Sequence, residues 1–564
     1  MFRKIQKIMK KQKNKDVDPD EIFADASNMP GFNTEQFEGR FEKPIGFRNV
    51  FSLFLVFSFI FIFFIYEVFQ VQIIKGEENR SRSENNKLRH TYIFPDRGII
   101  YDKNNRPLVW NERDENNDDF NQRQYVIDPG FSNLLGYVSY PKKDSSGFYY
   151  DEEITGMDGA EKYFDDILKG ENGTRLSEIN AQNKIIAENT IDLPQNGKNI
   201  HLTIDYDLQK KMFDSVKTII DQVGFAGGGA AIMDIYNGDI LALVNYPEYD
   251  SNIMSKGEDI EAINNYRLDS RFPFLNRVVD GLYTPGSIVK PYMAVAALQE
   301  RVIGPKDKII SRKNLVIPNP YNPSNPSIFT DWKAHGPVDV IQALAFSSNA
   351  YFYVVGGGYE DIDGLGISRI EKYMKKFGFG QQIESPIFNG PAGLVPNPQW
   401  KRENQNDDWR LGDTYFTSIG QYSFQVNPLQ IIRAVSSIAT KGMLVEPNLI
   451  ADSDNVSNFK KVEGIDDWVW ETVQEGMREV VLVGTGKGVN YEDFHIAAKS
   501  GTAELGESKA KVNSWFTGYW PYENPRYAYV IFLEKGDRTN LIGGVAVARN
   551  FFDWLKREKP EYLE

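Results

Sequence analysis

At 564 residues the chain is too long for one ordinary domain and long enough for two or three. A formal net charge of −14 leaves no broad basic field for nucleic acid, so nucleic acid is not expected as a partner. There is no cysteine, which excludes disulfides, thiolate metal sites and a cysteine nucleophile. The four histidines (His90, His201, His335, His495) make no His-Glu-x-x-His pair.

From the N-terminus, Arg3, Lys4, Lys7, Lys10, Lys11, Lys13 and Lys15 form a basic cluster, and residues 16–46 are polar, acidic and broken by Pro and Gly. Residues 1–49 are expected to be a largely disordered tail. Val50–Tyr66 is an uncharged run rich in Phe, Leu and Ile, and its apolar character continues to Ile74. At about 1.5 Å per residue, residues 50–74 are long enough to cross a hydrocarbon core about 30 Å thick. A run apolar on every side does not read as an amphipathic core helix. It starts late and lacks a small-x-small cleavage site, which argues against a removed signal peptide. Basic residues stay in the cytoplasm, so the N-terminus is expected inside and everything after the span outside. The same lysines could bind anionic lipid, although setting the topology is the plainer reading.

Beyond a polar connector, Pro95–Asp102 has a strand-turn pattern, Gly156–Gly170 reads as a short helix stopped by Gly, and Asn199–Ile204 alternates like a strand. Asp205–Val223 is expected to be an amphipathic helix, with Leu208, Met212, Val216 and Ile219 on one face. Ala230–Ile235 and Asp239–Val244 flank Asn237-Gly238, a hairpin signature. Trp515–Tyr519 and Tyr527–Leu533 read as strands, followed by a helix around Val545–Arg557. The expected fold class is α+β, with an antiparallel sheet flanked by helices.

Three short motifs follow one another in this region: Ser287-Ile-Val-Lys290, Ser347-Ser-Asn349 and Lys499-Ser-Gly-Thr502. Ser-x-x-Lys alone means little, since Ser457/Lys460 and Ser508/Lys511 match it too, as Ser453–Asn455 and Ser83–Asn85 match Ser-x-Asn. Those copies lie in polar stretches and read as solvated surface. Ser287 differs, because it follows the Thr284-Pro-Gly286 turn and precedes the apolar run Met293–Leu298. Pro291 is tolerated only in a helix's first turn, so a helix starts close to Ser287 and puts Lys290 on the hydroxyl's face. Burial and a second cation would lower the Lys290 pKa enough to make it a base, and Lys499 is the candidate cation. Taken singly, Ser347 and Asn349 read as a helix cap or turn and Lys499 as an edge lysine. Together they fit one acyl-transfer site, and Ser287 lacks the Gly-x-Ser-x-Gly frame of a Ser-His-Asp hydrolase.

At these residues the chain resembles a class B penicillin-binding protein, most closely the elongation-type penicillin-binding protein 2. The resemblance covers roughly residues 50–555 and rests on Pro95–Asp102, Leu134–Val138, Gly156–Gly170, Tyr283–Tyr292, Asp331-Trp332, His335-Gly336, Ser347–Tyr353, Gly412-Asp413, Ile419–Gln421 and Lys499–Glu504, in that order. It implies a transmembrane helix (50–74), a small β-rich pedestal (75–200) and a transpeptidase domain (201–564). It further implies a serine-type D-Ala-D-Ala transpeptidase of the bacterial inner membrane that cross-links peptidoglycan stem peptides during cell elongation and is acylated by β-lactams. In that scheme Ser287 is the nucleophile and Lys290 the base for acylation. Ser347 and Asn349 relay protons and position the substrate. Lys499, Ser500, Gly501 and Thr502 form the carboxylate-binding strand, with an oxyanion hole from the Ser287 and Thr502 N–H groups.

Two departures stand out. Few residues separate Pro107 from Leu134, so the pedestal is expected to be shortened, which weakens the implied contact with a SEDS-type membrane glycosyltransferase. Some relatives hold a metal near His335 with a Cys in the middle of Ser-x-Asn. Ser348 stands there, so no metal and no cofactor are expected. The alternatives are a hydrolysing or carboxypeptidase variant, against which the anchor and pedestal argue, and a catalytically silent scaffold or β-lactam sensor, against which the intact Ser/Lys/Ser/Asn/Lys set argues.

Overall fold

The computed structural model describes residues 46–79, 88–114, 117–145, 149–179, 185–319, 322–383, 385, 388–451 and 459–564. The expectations for residues 1–45, and the copies at Ser83–Asn85, Ser453–Asn455 and Ser457, fall outside them. The chain divides into two compact units, 1–88 and 89–564.

In the first unit, helix α1 (Phe47–Phe69) runs into a wider π turn (Gln70–Ile74). The apolar span Phe47–Ile74 has 28 residues, with a mean hydropathy of 2.4 over its most apolar 18 and no buried residue among them. A helix this apolar with nothing packed on it has the length and composition of a membrane span.

The second unit begins with short strands. Strands β1 (Ile100–Tyr101), β2 (Pro107–Asp114) and β3 (Asn117–Tyr125) form a sheet with β4 (Ile200–His201), which lies parallel to β1. The strand expected over 199–204 is thus shorter. Past His201, Leu202 N–H still donates to Tyr101 O, while Thr203 N–H turns to Leu449 O. The helix expected over 156–170 is broken at Phe164 into Gly159–Tyr163 and Asp165–Leu168. A buried charge cluster holds both pieces. Arg97 Nε and Arg123 Nε donate to the two oxygens of Glu161 at 2.6 and 2.7 Å, and Arg97 Nη2 reaches Asp165 Oδ1 at 2.5 Å. The arginine of the Pro95–Asp102 motif is therefore a structural cation.

Helix α2 (Tyr206–Val223) is capped by Asp205, whose carboxylate accepts from the Asp207 and Leu208 N–H groups. A five-stranded antiparallel sheet follows. Its spatial order is β6 (Ile240–Tyr246), β5 (Gly227–Asp234), β9 (Tyr527–Asp537), β8 (Lys511–Trp520) and β7 (Ala497–Leu505). Both faces are covered. Ile232, Val244, Phe516 and Ile531 pack against α2 and the C-terminal helix (Gly544–Glu558). Ala231, Met233, Trp515 and Phe532 pack with α3 (Lys290–Gln299) and the helices Pro428–Ala439 and Asp467–Leu482. Burial on both faces explains why β5 is apolar at nearly every position, with no polar alternation.

Glu161→Ala would leave two arginines buried without their carboxylate. The expected loss is about 3–5 kcal/mol of stability, measured by urea unfolding of the full-length protein. A loss near zero would remove the cluster from the framework of this region.

Candidate active site

Ser287 sits in a 3-10 turn (Gly286–Val289) that runs directly into α3, with Pro291 in the first helical turn as its geometry requires. Two contacts press this turn against strand β7. Gly286 has φ +58°, and a Cβ there would lie 2.9 Å from Thr502 O. At Gly501 a Cβ would lie 2.8 Å from Ile288 Cγ2 and 3.1 Å from Pro285 O. Trp515 Nε1, on the neighbouring strand, donates to Thr284 O at 3.0 Å and ties down the turn's entry. The two glycines bring the Ser287 turn and the Lys499–Thr502 strand into backbone contact.

The Ser-x-Asn segment breaks what would be one apolar helix into α4 (Val340–Ala345) and α5 (Asn349–Gly357). Between them Ser347 takes a left-handed backbone, φ +55°. The turn directs its groups at both lysines. Lys499 Nζ donates to Ser347 Oγ at 2.9 Å, and Lys290 Nζ is 3.4 Å from the same oxygen. Lys290 Nζ also donates to Ser347 O and to Asn349 Oδ1, each at 2.8 Å.

Both lysines are fully buried. Desolvation disfavours their charged forms. It brings Lys290 down to about 7, against an opposing pull from the Asp331 carboxylate. Lys499 is driven well below its ordinary value, by burial first and then by the Lys290 charge. A lysine that loses its proton near neutrality can act as a base.

The structure thus gathers Lys290, Ser347, Asn349 and Lys499 into one hydrogen-bonded group and lays the Ser287 turn against Thr502. The sequence puts Lys290 on the face of the Ser287 hydroxyl, and among the described residues no hydrogen bond joins the two. Lys290 is held by Ser347 and Asn349 instead. Ser500 is half-buried with its hydroxyl 2.6 Å from Thr485 Oγ1, Gly501 is buried, and Thr502 is exposed. The Ser508/Lys511 copy is exposed surface.

Two nearby residues, Thr485 and Ser311, have no part in the sequence motifs, and a third, Asp331, entered them without a role. Thr485 reaches Ser500 from the turn that follows the helix Asp467–Leu482. Asp331 and Ser311 meet behind the Ser-x-Asn segment. No local spacing announces Thr485 or Ser311, and Asp331 carried only its Asp-Trp pairing. The donor set here does not fit a metal. Ser348 offers a hydroxyl that is already bonded to Asp331, and Asp331 Oδ2 already accepts three donors. Among the described residues no three His, Cys, Asp or Glu side chains gather into a metal-binding group.

The family model described as the penicillin-binding protein transpeptidase domain matches residues 228–553, and that of the penicillin-binding protein dimerisation domain matches 117–202. The chain belongs to the penicillin-binding protein transpeptidase family. Among relatives of this penicillin-binding protein, the peptidoglycan D,D-transpeptidase MrdA of Haemophilus influenzae is 30% identical over 485 residues, covering 78% of this chain and 70% of the relative. MrdA of Escherichia coli K12 is 27% identical over 589 residues, covering 84% and 89%. The solved structure of Pseudomonas aeruginosa PBP2 aligns with TM-score 0.67 and 29% identity over 83% of this chain and 98% of that one. The complex of PBP2 with MreC from Helicobacter pylori gives TM-score 0.67 at 25% identity, covering 83% and 99%. This penicillin-binding protein thus shares fold and family with the PBP2 group over most of its length.

Gly501→Val would push the Ser287 turn off strand β7. Displacement by about 1 Å is expected to slow acylation roughly a hundredfold with the circular dichroism spectrum unchanged. Undiminished acylation by a fluorescent penicillin would show that the contact does not set the site.

Proposed function

We propose that Ser287 is the nucleophile of a serine-type peptidoglycan D,D-transpeptidase and that Lys290 is its base. Family membership makes the chain a penicillin-binding transpeptidase. The observation that carries the residue roles is the pair of buried lysines converging on Ser347. With its proton lost, Lys290 takes the Ser287 hydroxyl proton as Oγ attacks the penultimate D-Ala carbonyl of a stem peptide. The N–H groups of Ser287 and Thr502 stabilise the oxyanion. The Lys499–Ser347 hydrogen bond offers a route for a proton to the departing D-Ala amine, and Asn349 positions the substrate amide. Lys499, with Ser500 and Thr502, faces the terminal carboxylate. An amine from a second stem peptide then attacks the ester and closes the cross-link. β-Lactams enter the same acylation as mimics of the D-Ala-D-Ala end.

The apolar span supports membrane anchoring, and the basic cluster before it supports a cytoplasmic N-terminus with the catalytic part outside. Residues 75–200 serve as the pedestal and 201–564 as the transpeptidase domain, with the dimerisation-domain match supporting the former. The work belongs to cell-wall elongation and cell shape, beside a SEDS-type glycosyltransferase. A neighbour solved with MreC is consistent with a pedestal that takes protein partners.

Ser287→Ala should abolish the covalent penicillin adduct in intact-mass spectra, and an adduct that survives would remove Ser287 as the nucleophile. Lys290→Met should fold and acylate far more slowly. Because Lys290 acts only when neutral, the acylation rate should rise with pH through a midpoint near 7. A midpoint near the ordinary lysine value would deny it the role of base.

A further inference from the structure

The Ser-x-Asn segment has two sides. Ser347 and Asn349 face the lysines, while Ser348 and the Ala350 N–H face away, onto Asp331. Asp331 is fully buried. Its Oδ2 accepts from Ser348 Oγ at 2.9 Å, from Ala350 N–H at 3.0 Å and from Ser311 Oγ at 3.3 Å. Its Oδ1 accepts from Trp332 N–H at 2.8 Å, which fixes the carboxylate's orientation. Ser311 and Ser348 hydroxyls are 2.8 Å apart, and Ser348 Oγ also accepts from Tyr351 N–H as the cap of α5.

The anchor behind this group is rigid. Ser311 ends a strand (Ile309–Ser311) paired with Gly336–Val338, and Asp331 N–H donates to Lys313 O. Donors meet both Asp331 oxygens, an arrangement that suits a carboxylate, whereas an amide would set its own N–H groups against some of them. The negative charge also lies at the N-terminus of α5, where the helix dipole favours it.

We propose that Asp331 is a positioning residue for acyl transfer. Through Ser348, Ser311 and the Ala350 N–H it clamps the segment from behind and holds Ser347 in its left-handed turn between the two lysines, with hydrogen bonds where some relatives use a metal. The proposal rests on the roles given to Ser287 and Lys290. The clamp also acts through charge. The charged and titratable groups around Lys290 are Lys499 from the strand, Asp331 from the clamp and His335 beside it. Asp331 is the one that favours the Lys290 ammonium.

The test is the acylation rate constant of the full-length protein in detergent with a fluorescent penicillin, normalised to active sites and measured against pH. Asp331→Asn should slow acylation about tenfold or more. It should also move the acid limb to lower pH, because Lys290 loses the anion that favours its charged form. General loosening of the fold would not move that limb in this direction. Ser348→Ala keeps the carboxylate and should slow acylation with the limb unmoved, and Ser348→Thr, which restores the hydroxyl, should recover the rate. This pair carries the test if Asp331→Asn does not fold.

Wild-type rates in Ser348→Ala, or an unmoved limb in a folded Asp331→Asn, would overturn the clamp. So would stoichiometric metal whose removal by chelator slows acylation. Ser287→Ala, run alongside, separates the two readings. If its adduct survives, the proposed nucleophile fails. If its adduct is lost while the Asp331 and Ser348 variants acylate normally, only the clamp fails.

Discussion

The proposed chemistry turns on two lysine side chains that meet at one serine oxygen in the protein interior. Either lysine, exposed, would keep its proton throughout the physiological range. Buried together around Ser347 they cannot both remain charged without a large cost, because desolvation disfavours both ammonium groups and the Lys290 charge further disfavours that of Lys499. The residues around them are arranged to sustain that situation. Ser347 adopts a backbone that an L-residue takes at some cost. Asn349 Oδ1 and the Ser347 carbonyl supply the acceptors that Lys290 would otherwise draw from water.

The fold makes such a pair tolerable. A sheet covered on both faces provides a strand, Ala497–Leu505, that can carry a lysine into a dry interior. The apolar helix behind Ser287 is buried along almost its whole length and sets Lys290 opposite. Glycine at 286 and 501 removes the side chains that would keep these two elements apart. The site therefore stands on a strand and a helix, joined by the 3-10 turn at Ser287 and the loop between α4 and α5.

A second buried charge cluster does different work. Arg97, Arg123 and Glu161 tie the Pro95–Asp102 segment and strand β3 to the helix Gly159–Tyr163. That cluster explains the Pro95–Asp102 motif without assigning it chemistry, since the motif's arginine is fully engaged inside.

The sequence by itself determined the local pieces. The Asn-Gly hairpin, the Asp-capped helix over 206–223, the Pro-limited helix start after Ser287 and the apolar span each follow from rules acting over a few residues. The three motifs were legible because their context, turn before and apolar run after, set them apart from polar copies. Only the tertiary structure decided what meets what. The two helix pieces on either side of Phe164 are held by ion pairs with Arg97, far away in sequence. Ser311 and Thr485 sit in segments with no distinguishing pattern and gain meaning by proximity alone. Lys290 turned to Ser347 and Asn349, and not to Ser287, because a buried ammonium takes the acceptors the fold presents to it. Helical spacing put Lys290 and Ser287 on one face. The lysine's partner and its acidity come from long-range burial, which no local window of sequence contains.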